Sequence, residues 1–215
     1  MKKKTILSAI SAVLFVLLII MLKTIDVKPL GPADTLIGLS ALNTSFHSLT
    51  GVDYFLYKVT DILGTLALMV AALFALIGLI QFIKRRSIIK VDGEIKCLGI
   101  LYIVTLFIYA LFEKLIINYR PVILPGDTLP EASFPSSHTM LTLVIMVSTI
   151  LIVGKYIKDS RLLLSARIIC GVIAAVTVIG RLLCGVHWLT DIAGGILISL
   201  VLLFLFSAVL DKIKE

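Results

Sequence analysis

A stretch near the carboxyl-terminal end of the chain places three ionisable side chains beside an apolar run. Residues 180–195 are GRLLCGVHWLTDIAGG and carry Arg181, His187 and Asp191. His187 and Asp191 are four residues apart, so on a helix they share one face. A carboxylate there would hold the imidazole in one tautomer and stabilise its charged form, as in a catalytic triad. The alternative is a structural cluster in which Asp191 or Thr190 caps a helix and Arg181 reaches the membrane surface.

Two further polar motifs occur earlier in the chain, each at the edge of an apolar run. Residues 114–121 are KLIINYRP, and residues 134–138 are FPSSH. The first motif contributes two cations, and lysine and arginine side chains bind phosphate oxygens. The second contributes two serines and a histidine at the predicted start of a helix. Free N–H groups at a helix start, together with the positive end of the helix dipole, attract anions.

Together the three motifs predict a phosphate site with a nucleophile and a proton donor. His187, held by Asp191, would attack phosphorus, and His138 would protonate the leaving oxygen. Phosphoryl transfer mainly requires positioning and charge stabilisation, which cations and amides supply. We expect neither a metal ion nor another cofactor. The residues predicted to bind the phosphate are Lys114, Arg120, Ser136, Ser137 and Arg181.

The composition indicates the environment of this site. Of 215 residues, 60% are hydrophobic and only 15% are charged, whereas water-soluble domains carry about 25% charged residues. The mean hydropathy is +1.13. The chain is therefore predicted to be an integral membrane protein. Its net charge of +7 lies mainly in the connections between apolar runs, which indicates membrane orientation rather than nucleic-acid binding.

The apolar runs predict an all-α, polytopic bundle of six transmembrane helices in a single domain covering residues 1–215. Each run is close to the ~20 residues that a bilayer requires. The first follows three lysines, but no small-residue cleavage site follows it, so we interpret it as an uncleaved span. Between the first two runs, residues 34–49 are predicted to form an amphipathic surface helix, and His47 within it is assigned no role. The predicted spans are residues 5–22, 61–83, 97–117, 137–157, 162–183 and 189–210.

The basic connections predict the orientation of the bundle. The amino terminus, residues 84–96, residues 158–161 and the carboxyl-terminal tail are rich in lysine and arginine. With six spans these four segments fall on one side, which the positive-inside rule assigns to the cytoplasm. We therefore expect a plasma-membrane protein with both termini in the cytoplasm. The three motifs would then meet at the extracytoplasmic ends of helices 3 to 6.

The three motifs resemble the signature of the type 2 phosphatidic acid phosphatases, a family related to vanadium-dependent haloperoxidases and bacterial acid phosphatases. That signature is a lysine, six residues and Arg-Pro; then Pro-Ser-Gly-His; then Ser-Arg, five residues, His, three residues and Asp. Residues 120–121, 135–138 and 181–191 match its three parts in order. The resemblance implies a phosphohistidine on His187, with His138 acting first as general acid and then as general base.

Three positions depart from that signature. Ser137 replaces a glycine, and Gly180 replaces a serine, which removes one hydroxyl donor. Lys114 lies six positions before Arg120, whereas the lysine of the family pattern lies seven positions before its arginine. At ~100° per residue, Glu113 rather than Lys114 shares the helical face of Arg120. We nevertheless assign Lys114 to the phosphate, because the helix is expected to fray before Asn118 and a lysine side chain is flexible.

These motifs predict a membrane lipid phosphatase that acts at the outer face. Its substrate would be a lipid phosphomonoester or a polyprenyl diphosphate, with phosphatidate, phosphatidylglycerol phosphate and undecaprenyl diphosphate as the choices that the resemblance implies. The lipid tail would lie in the bilayer beside the bundle; no oligomeric state is predicted. Two other classes stay open at this point. One is a metal-dependent hydrolase with His138, His187 and Asp191 as ligands, and the other is a transporter that binds phosphate without cleaving it.

Overall fold

Long helices joined by short connections form the framework of the protein. The computed structural model describes residues 1–214, and six of the helices in that range are long and apolar enough to cross a membrane. The prediction of a six-span helical bundle is therefore confirmed. A 3-10 turn, Val153–Lys155, extends the fifth α-helix. The α-helices are α1 (Lys2–Thr24), α2 (Ser40–Thr50), α3 (Tyr54–Arg85), α4 (Gly93–Lys114), α5 (Ser137–Ile152), α6 (Ser160–Leu183) and α7 (Leu189–Lys214).

Two helix boundaries differ from the predicted spans in a way that affects the site. Helix α3 begins at Tyr54, because the side chain of Asp53 caps it by accepting a hydrogen bond from the Leu56 amide at 3.0 Å. Asp61, predicted to begin this span, therefore lies two turns inside the helix. Helix α4 ends at Lys114 rather than at residue 117, so the chain leaves it just before the Arg-Pro motif.

The connection between α1 and α3 corrects the predicted surface helix over residues 34–49. Only Ser40–Thr50 is helical, and the preceding residues form a small antiparallel hairpin of β1 (Lys28–Pro29) and β2 (Leu36–Ile37). Asp26 sets the helix start, since its carboxylate accepts hydrogen bonds from the Ser40 hydroxyl at 2.8 Å and the Ala41 amide at 2.7 Å. A polar residue outside the predicted segment thus decides where α2 begins.

The three polar motifs lie at one end of the bundle, called the site end below. There α4 and α6 end and α3, α5 and α7 begin. The opposite end is held by ion pairs between the α3–α4 connection and the end of α5. Lys155 contacts Asp92 at 3.0 Å and Glu94 at 2.6 Å, and Asp92 also pairs with Arg85 at 2.6 Å. These ion pairs fix the ends of α3, α4 and α5 relative to one another.

An aromatic cluster beneath the site end anchors the second motif. Phe134 stacks on Phe15 of α1 with ring centres 5.7 Å apart, and meets Phe112 of α4 edge-on at 6.1 Å. Gly194 of α7 allows this approach, because a Cβ at that position would lie 2.3 Å from the Phe134 ring. The segment that carries His138 is thus packed between α1, α4 and α7.

Helix α3 approaches its neighbours closely at two glycines. A Cβ on Gly180 of α6 would lie 2.5 Å from the Thr60 methyl carbon, and a Cβ on Gly64 of α3 would lie 2.9 Å from the His138 ring. Helix α3 therefore packs tightly against both α5 and α6 at the site end. This contact explains why glycine stands at position 180, where the family signature has serine.

We predict that Gly180→Ser lowers the thermal stability of the protein, because the added atoms overlap the Thr60 methyl group at a cost of about 1–3 kcal/mol. Thr60→Ser removes that methyl group, so the double variant should regain much of the loss. Gly171→Ala on the same helix is the control, since no atom lies within 4 Å of an added Cβ there. The measurement is thermal unfolding in detergent micelles. An unchanged melting temperature for Gly180→Ser would contradict the close packing of α3 on α6.

Candidate active site

His187 lies in the connection between α6 and α7, and each of its two ring nitrogens faces a different side chain. Its Nε2 lies 3.2 Å from Arg120 Nη1, and its Nδ1 lies 3.5 Å from Asp191 Oδ2. A guanidinium only donates, so Nε2 accepts through its lone pair and Nδ1 carries the proton. The Nδ1–Oδ2 separation is longer than that of an ordinary hydrogen bond, so the carboxylate faces the N–H without a close contact. This tautomer leaves the basic nitrogen on the Arg120 side.

The electrostatic surroundings keep His187 neutral. Burial lowers the pKa of His187 well below its ordinary value, and the positive charges of Arg120 and Arg181 lower it further. An imidazole with a lowered pKa is unprotonated at neutral pH, so the Nε2 lone pair is present. Neutral imidazole is the form that can act as a nucleophile.

Asp191 combines a structural contact with its position beside His187. As the third residue of α7, it accepts a hydrogen bond from the Trp188 amide at 2.9 Å, which is the reciprocal half of a capping box. The capping alternative considered for this cluster is therefore correct in part: Asp191 caps α7 and also faces the imidazole. Its backbone carbonyl accepts a hydrogen bond from the Ser136 amide at 3.0 Å, which joins the second motif to the third.

The two serines of the second motif lie in different surroundings. Ser136 is fully buried, and its hydroxyl caps α5 by accepting from the Thr139 amide at 3.4 Å. Ser137 lines the cavity in front of His187. A Cβ on Gly195 would lie 3.0 Å from the Ser136 carbonyl, so the second glycine of α7 lets this segment lie against the helix.

Arg120 is positioned by the α4–α5 connection folding back on itself. Its amide donates to the Glu131 carbonyl at 3.0 Å, and its Nε donates to the Glu131 carboxylate at 3.0 Å. Its Nη1 also reaches the Val186 carbonyl at 3.4 Å, next to His187. The guanidinium therefore holds the loop that carries His187 as well as one wall of the cavity.

Asp61 of α3 joins the two remaining predicted site residues. Its Oδ1 accepts a hydrogen bond from Arg181 Nη2 and lies 3.1 Å from His138 Nε2. Arg181 is fully buried, and its guanidinium lies 4.6 Å from the centre of the Tyr57 ring. Within residues 1–214, the Nε and Nη1 groups of Arg181 have no hydrogen-bond partner. These N–H groups can therefore donate hydrogen bonds to an anion.

Sequence reasoning missed Asp61, although the sequence carried a signal for it. We treated Asp61 only as the first residue of the second span. A carboxylate inside an apolar membrane helix is expected to have a partner and to mark a functional site. Arg181 and His138 are those partners, but they follow Asp61 by 120 and 77 residues, and only the packing of α3 against α5 and α6 brings them together.

A small cavity of about 20 Å³ lies in front of His187. Arg120 and Ser137 reach it, together with aromatic side chains of α4 and the loop before α5. Glu113 lines this cavity, as the helical phase indicates, whereas Lys114 is an exposed residue at the end of α4. The structure therefore does not bring Lys114 to the cavity. The lining residues are Tyr109, Phe112, Glu113, Arg120, Ala132, Ser133, Phe134, Pro135, Ser137, Met140 and His187.

A second, wider cavity of about 480 Å³ shares Arg120 with the first. Lys58 of α3 lines it, with Tyr54, Tyr57 and Glu131. Lys58 is thus a cation near Arg120 that the sequence motifs did not indicate. Within residues 1–214, no group of three or more His, Cys, Asp or Glu side chains is arranged as a metal site.

The arrangement can bind a phosphate group and can act on it. Two guanidinium groups, those of Arg120 and Arg181, have donors near the two histidines. His187 offers a neutral nitrogen, and His138 lies beside a carboxylate with which it can share a proton. These are the parts that a metal-independent phosphoryl transfer requires.

Known proteins share this sequence pattern and this fold. Phosphatidylglycerophosphatase B of Bacillus subtilis (strain 168) is 34% identical over 97 residues, which are 45% of this chain and 48% of that protein. The match thus spans about half the length of that relative. A transmembrane PAP2-type phosphatidylglycerolphosphate phosphatase from Bacillus subtilis, known from its crystal structure, is 23% identical. It superposes with a TM-score of 0.68 over 97% of this chain and 98% of its own.

The family follows from a match that covers most of the chain. Residues 63–215 match the PAP2 superfamily. That region contains all three motifs and the helices α4 to α7, and the shared fold extends the likeness to α1 and α3. The protein is therefore a multi-pass membrane protein that belongs to the PAP2 superfamily.

Proposed function

We propose that this protein is a membrane lipid phosphatase that removes the terminal phosphate of a phosphorylated lipid through a phosphohistidine on His187. The observation that carries the proposal is the environment of the His187 ring. Its Nδ1 faces Asp191 and its Nε2 faces Arg120 at 3.2 Å. A neutral imidazole with its lone pair directed to a phosphate-binding guanidinium is an arrangement suited to attack on phosphorus.

The reaction would proceed in two balanced steps. In the first, His187 Nε2 forms a bond to phosphorus, the bond from phosphorus to the lipid oxygen breaks, and His138 gives its proton to that oxygen. In the second, water attacks phosphorus while His138 takes one of its protons, and the phosphorus–nitrogen bond breaks. Arg120 and Arg181 would stabilise the charge on the phosphoryl oxygens in both steps.

Substrate choice follows from the relatives and from the membrane. The two relatives named above are phosphatidylglycerophosphate phosphatases, so phosphatidylglycerol phosphate is the first substrate to test. Phosphatidate and undecaprenyl diphosphate carry the same terminal phosphate on a membrane lipid and complete the panel. Phosphate release from each, compared at equal protein concentration, identifies the preferred substrate.

The charges in the site favour a mechanism without a metal ion. A divalent cation on His187 Nε2 would lie against the guanidinium of Arg120, which occupies that side of the ring at 3.2 Å. His138 Nε2 faces Asp61 rather than His187 or Asp191. The donor set of a two-histidine, one-carboxylate site is therefore divided between two pairs.

The site would lie at the outer face of the plasma membrane. The end of the bundle opposite the site carries the basic segments, including the α3–α4 connection with Arg85 and Arg86. Basic connections stay in the cytoplasm, which would leave both termini there as well. The accessibility of single cysteines introduced at the two ends, labelled in intact cells, tests this orientation.

We expect His187→Ala to lower kcat for phosphate release by at least about 10³-fold, since removal of a nucleophile leaves only binding and charge stabilisation. The unsubstituted protein should keep its activity in excess chelator and should be inhibited by vanadate, a phosphoryl mimic.

Because the pKa of His187 is lowered, its neutral form persists into mild acid. The acid limb of kcat/KM should therefore lie below the ordinary histidine value of 6.5. Unchanged turnover of His187→Ala would refute the mechanism, and loss of activity in chelator would favour a metal enzyme.

We predict that Asp61→Asn lowers kcat by roughly 10- to 100-fold, a part of the ~10²–10⁴ that a positioned general acid contributes. The carboxylate balances the guanidinium groups of Arg181 and Arg120, which oppose a positive charge on His138. Its loss should therefore lower kcat more than it changes KM. Thr65→Ala, one turn along α3, is the matched control, since Thr65 is exposed and contacts only the backbone carbonyl of Asp61, at 3.0 Å. A kcat equal to that of the unsubstituted protein would argue against pairing of Asp61 with His138.

The two cations of the first motif should differ in their effects. We predict that Arg120→Ala lowers kcat/KM by about 10²-fold, since it removes a donor aimed at the phosphoryl group. Lys114→Ala should change kcat/KM by less than about threefold, as is usual for an exposed charge. Steady-state assays on the preferred lipid compare the two variants. A loss in Lys114→Ala as large as that in Arg120→Ala would show that Lys114 reaches the substrate.

A further inference from the structure

The loop that carries His187 makes helical hydrogen bonds only at its two ends, Cys184 and Trp188. Residues 184–188 connect α6 to α7 without regular structure. A nucleophile must nevertheless stay in place to within a fraction of an ångström, since a displacement of about 1 Å costs up to 10²-fold in rate. The position of His187 therefore depends on what holds this loop from outside.

Three successive carbonyls of this loop each accept a hydrogen bond from a different donor. The Cys184 carbonyl accepts from the Asp53 amide at 3.0 Å. The Gly185 carbonyl lies 3.0 Å from His47 Nε2, which must carry a hydrogen in this contact because a carbonyl only accepts. The Val186 carbonyl accepts from Arg120 at 3.4 Å. Two of these three donors lie on α2 or just after it.

Helix α2 is itself docked on the start of α7. Asn43, one turn before His47 on the same face, donates to the Thr190 hydroxyl at 3.0 Å and accepts from the Thr190 amide at 3.3 Å. The His47 ring lies 5.4 Å from the ring of Trp188, the residue that follows the nucleophile. Helix α2 therefore holds the chain on both sides of His187.

The backbone leaves little freedom in this contact. Gly185 adopts a φ of +68°, and a Cβ there would lie 1.7 Å from the Gly51 carbonyl. The turn after α2 is thus in direct contact with the turn before His187. Any change in the position of α2 would be transmitted to the loop.

We propose that His47 is a positioning residue for the nucleophile: its Nε2–H bond to the Gly185 carbonyl and its contact with Trp188 fix the place of His187. The inference rests on the proposed role of His187. His47 does not contact the cavity in front of His187, so it acts through the loop rather than on the substrate. The sequence assigned no role to His47, and the contact with the Gly185 carbonyl supplies one.

The test compares three substitutions that separate the hydrogen bond from the packing. His47→Ala removes both, His47→Phe keeps an aromatic ring without the donor, and His47→Gln keeps an N–H donor of similar reach. We expect His47→Ala and His47→Phe to lower kcat about tenfold, with KM within twofold of the unsubstituted protein. His47→Gln should return kcat to within about threefold. Ser48→Ala, the adjacent exposed residue, is the matched control.

The measurements are kcat and KM for phosphate release from phosphatidylglycerol phosphate in mixed micelles, with the folded fraction of each variant determined by gel filtration. Equal kcat for His47→Phe and the unsubstituted protein would overturn the proposal, as would a His47→Gln variant no better than His47→Phe. A loss confined to KM or to the folded fraction would overturn it too. If His47→Ala fails to fold, the comparison of the Phe and Gln variants decides.

The same assay separates this inference from the proposed function. If the unsubstituted protein turns over and His187→Ala does not, unchanged kcat in the His47 variants refutes the positioning role alone. If the unsubstituted protein releases no phosphate from any lipid of the panel, the proposed function and the positioning role fall together.

Discussion

The ion pair between Arg181 and Asp61 is the contact on which the site end of the bundle depends. Arg181 is fully buried among apolar helices, and a buried charge left without a partner costs several kcal/mol. Asp61 supplies the opposite charge, and the Tyr57 ring covers the guanidinium at 4.6 Å. Because Arg181 ends α6 and Asp61 lies inside α3, the pair fixes the two helices together. The same carboxylate oxygen reaches His138 on α5, so three helices meet at one atom.

The start of α7 shows how folding and chemistry use the same groups. Asp191 supplies one half of a capping box by accepting from the Trp188 amide, a contact that stabilises the start of a helix. The capped carboxylate then lies beside the His187 ring without further adjustment. The Asp191 carbonyl receives the Ser136 amide, so the start of α5 is held against the start of α7. Substituting Asp191 would consequently disturb helix capping, loop position and imidazole orientation together.

Close packing explains one of the three positions where this chain departs from the family signature. Gly180 faces the Thr60 methyl group with no room for a hydroxymethyl side chain. Asp61 of the facing helix holds the neighbouring Arg181 by accepting a hydrogen bond from its Nη2. At the first motif, Glu113 takes the cavity position and Lys114 lies outside it. Lys58 of α3 lines the neighbouring cavity together with Arg120. The second cation beside Arg120 therefore comes from a different helix.

The sequence by itself determined the features that depend on local composition and spacing. Six apolar runs long enough for a bilayer predicted six spanning helices, and the three motifs predicted a phosphate site shared by α4, α5, α6 and α7. Helical periodicity also indicated that Glu113, not Lys114, shares the face of Arg120. Tertiary structure decided the rest, because it depends on contacts between residues far apart in the chain. Asp61 acquires its partners only when α3 packs on α5 and α6, and His47 reaches the Gly185 carbonyl, 138 residues away, only when α2 docks on α7.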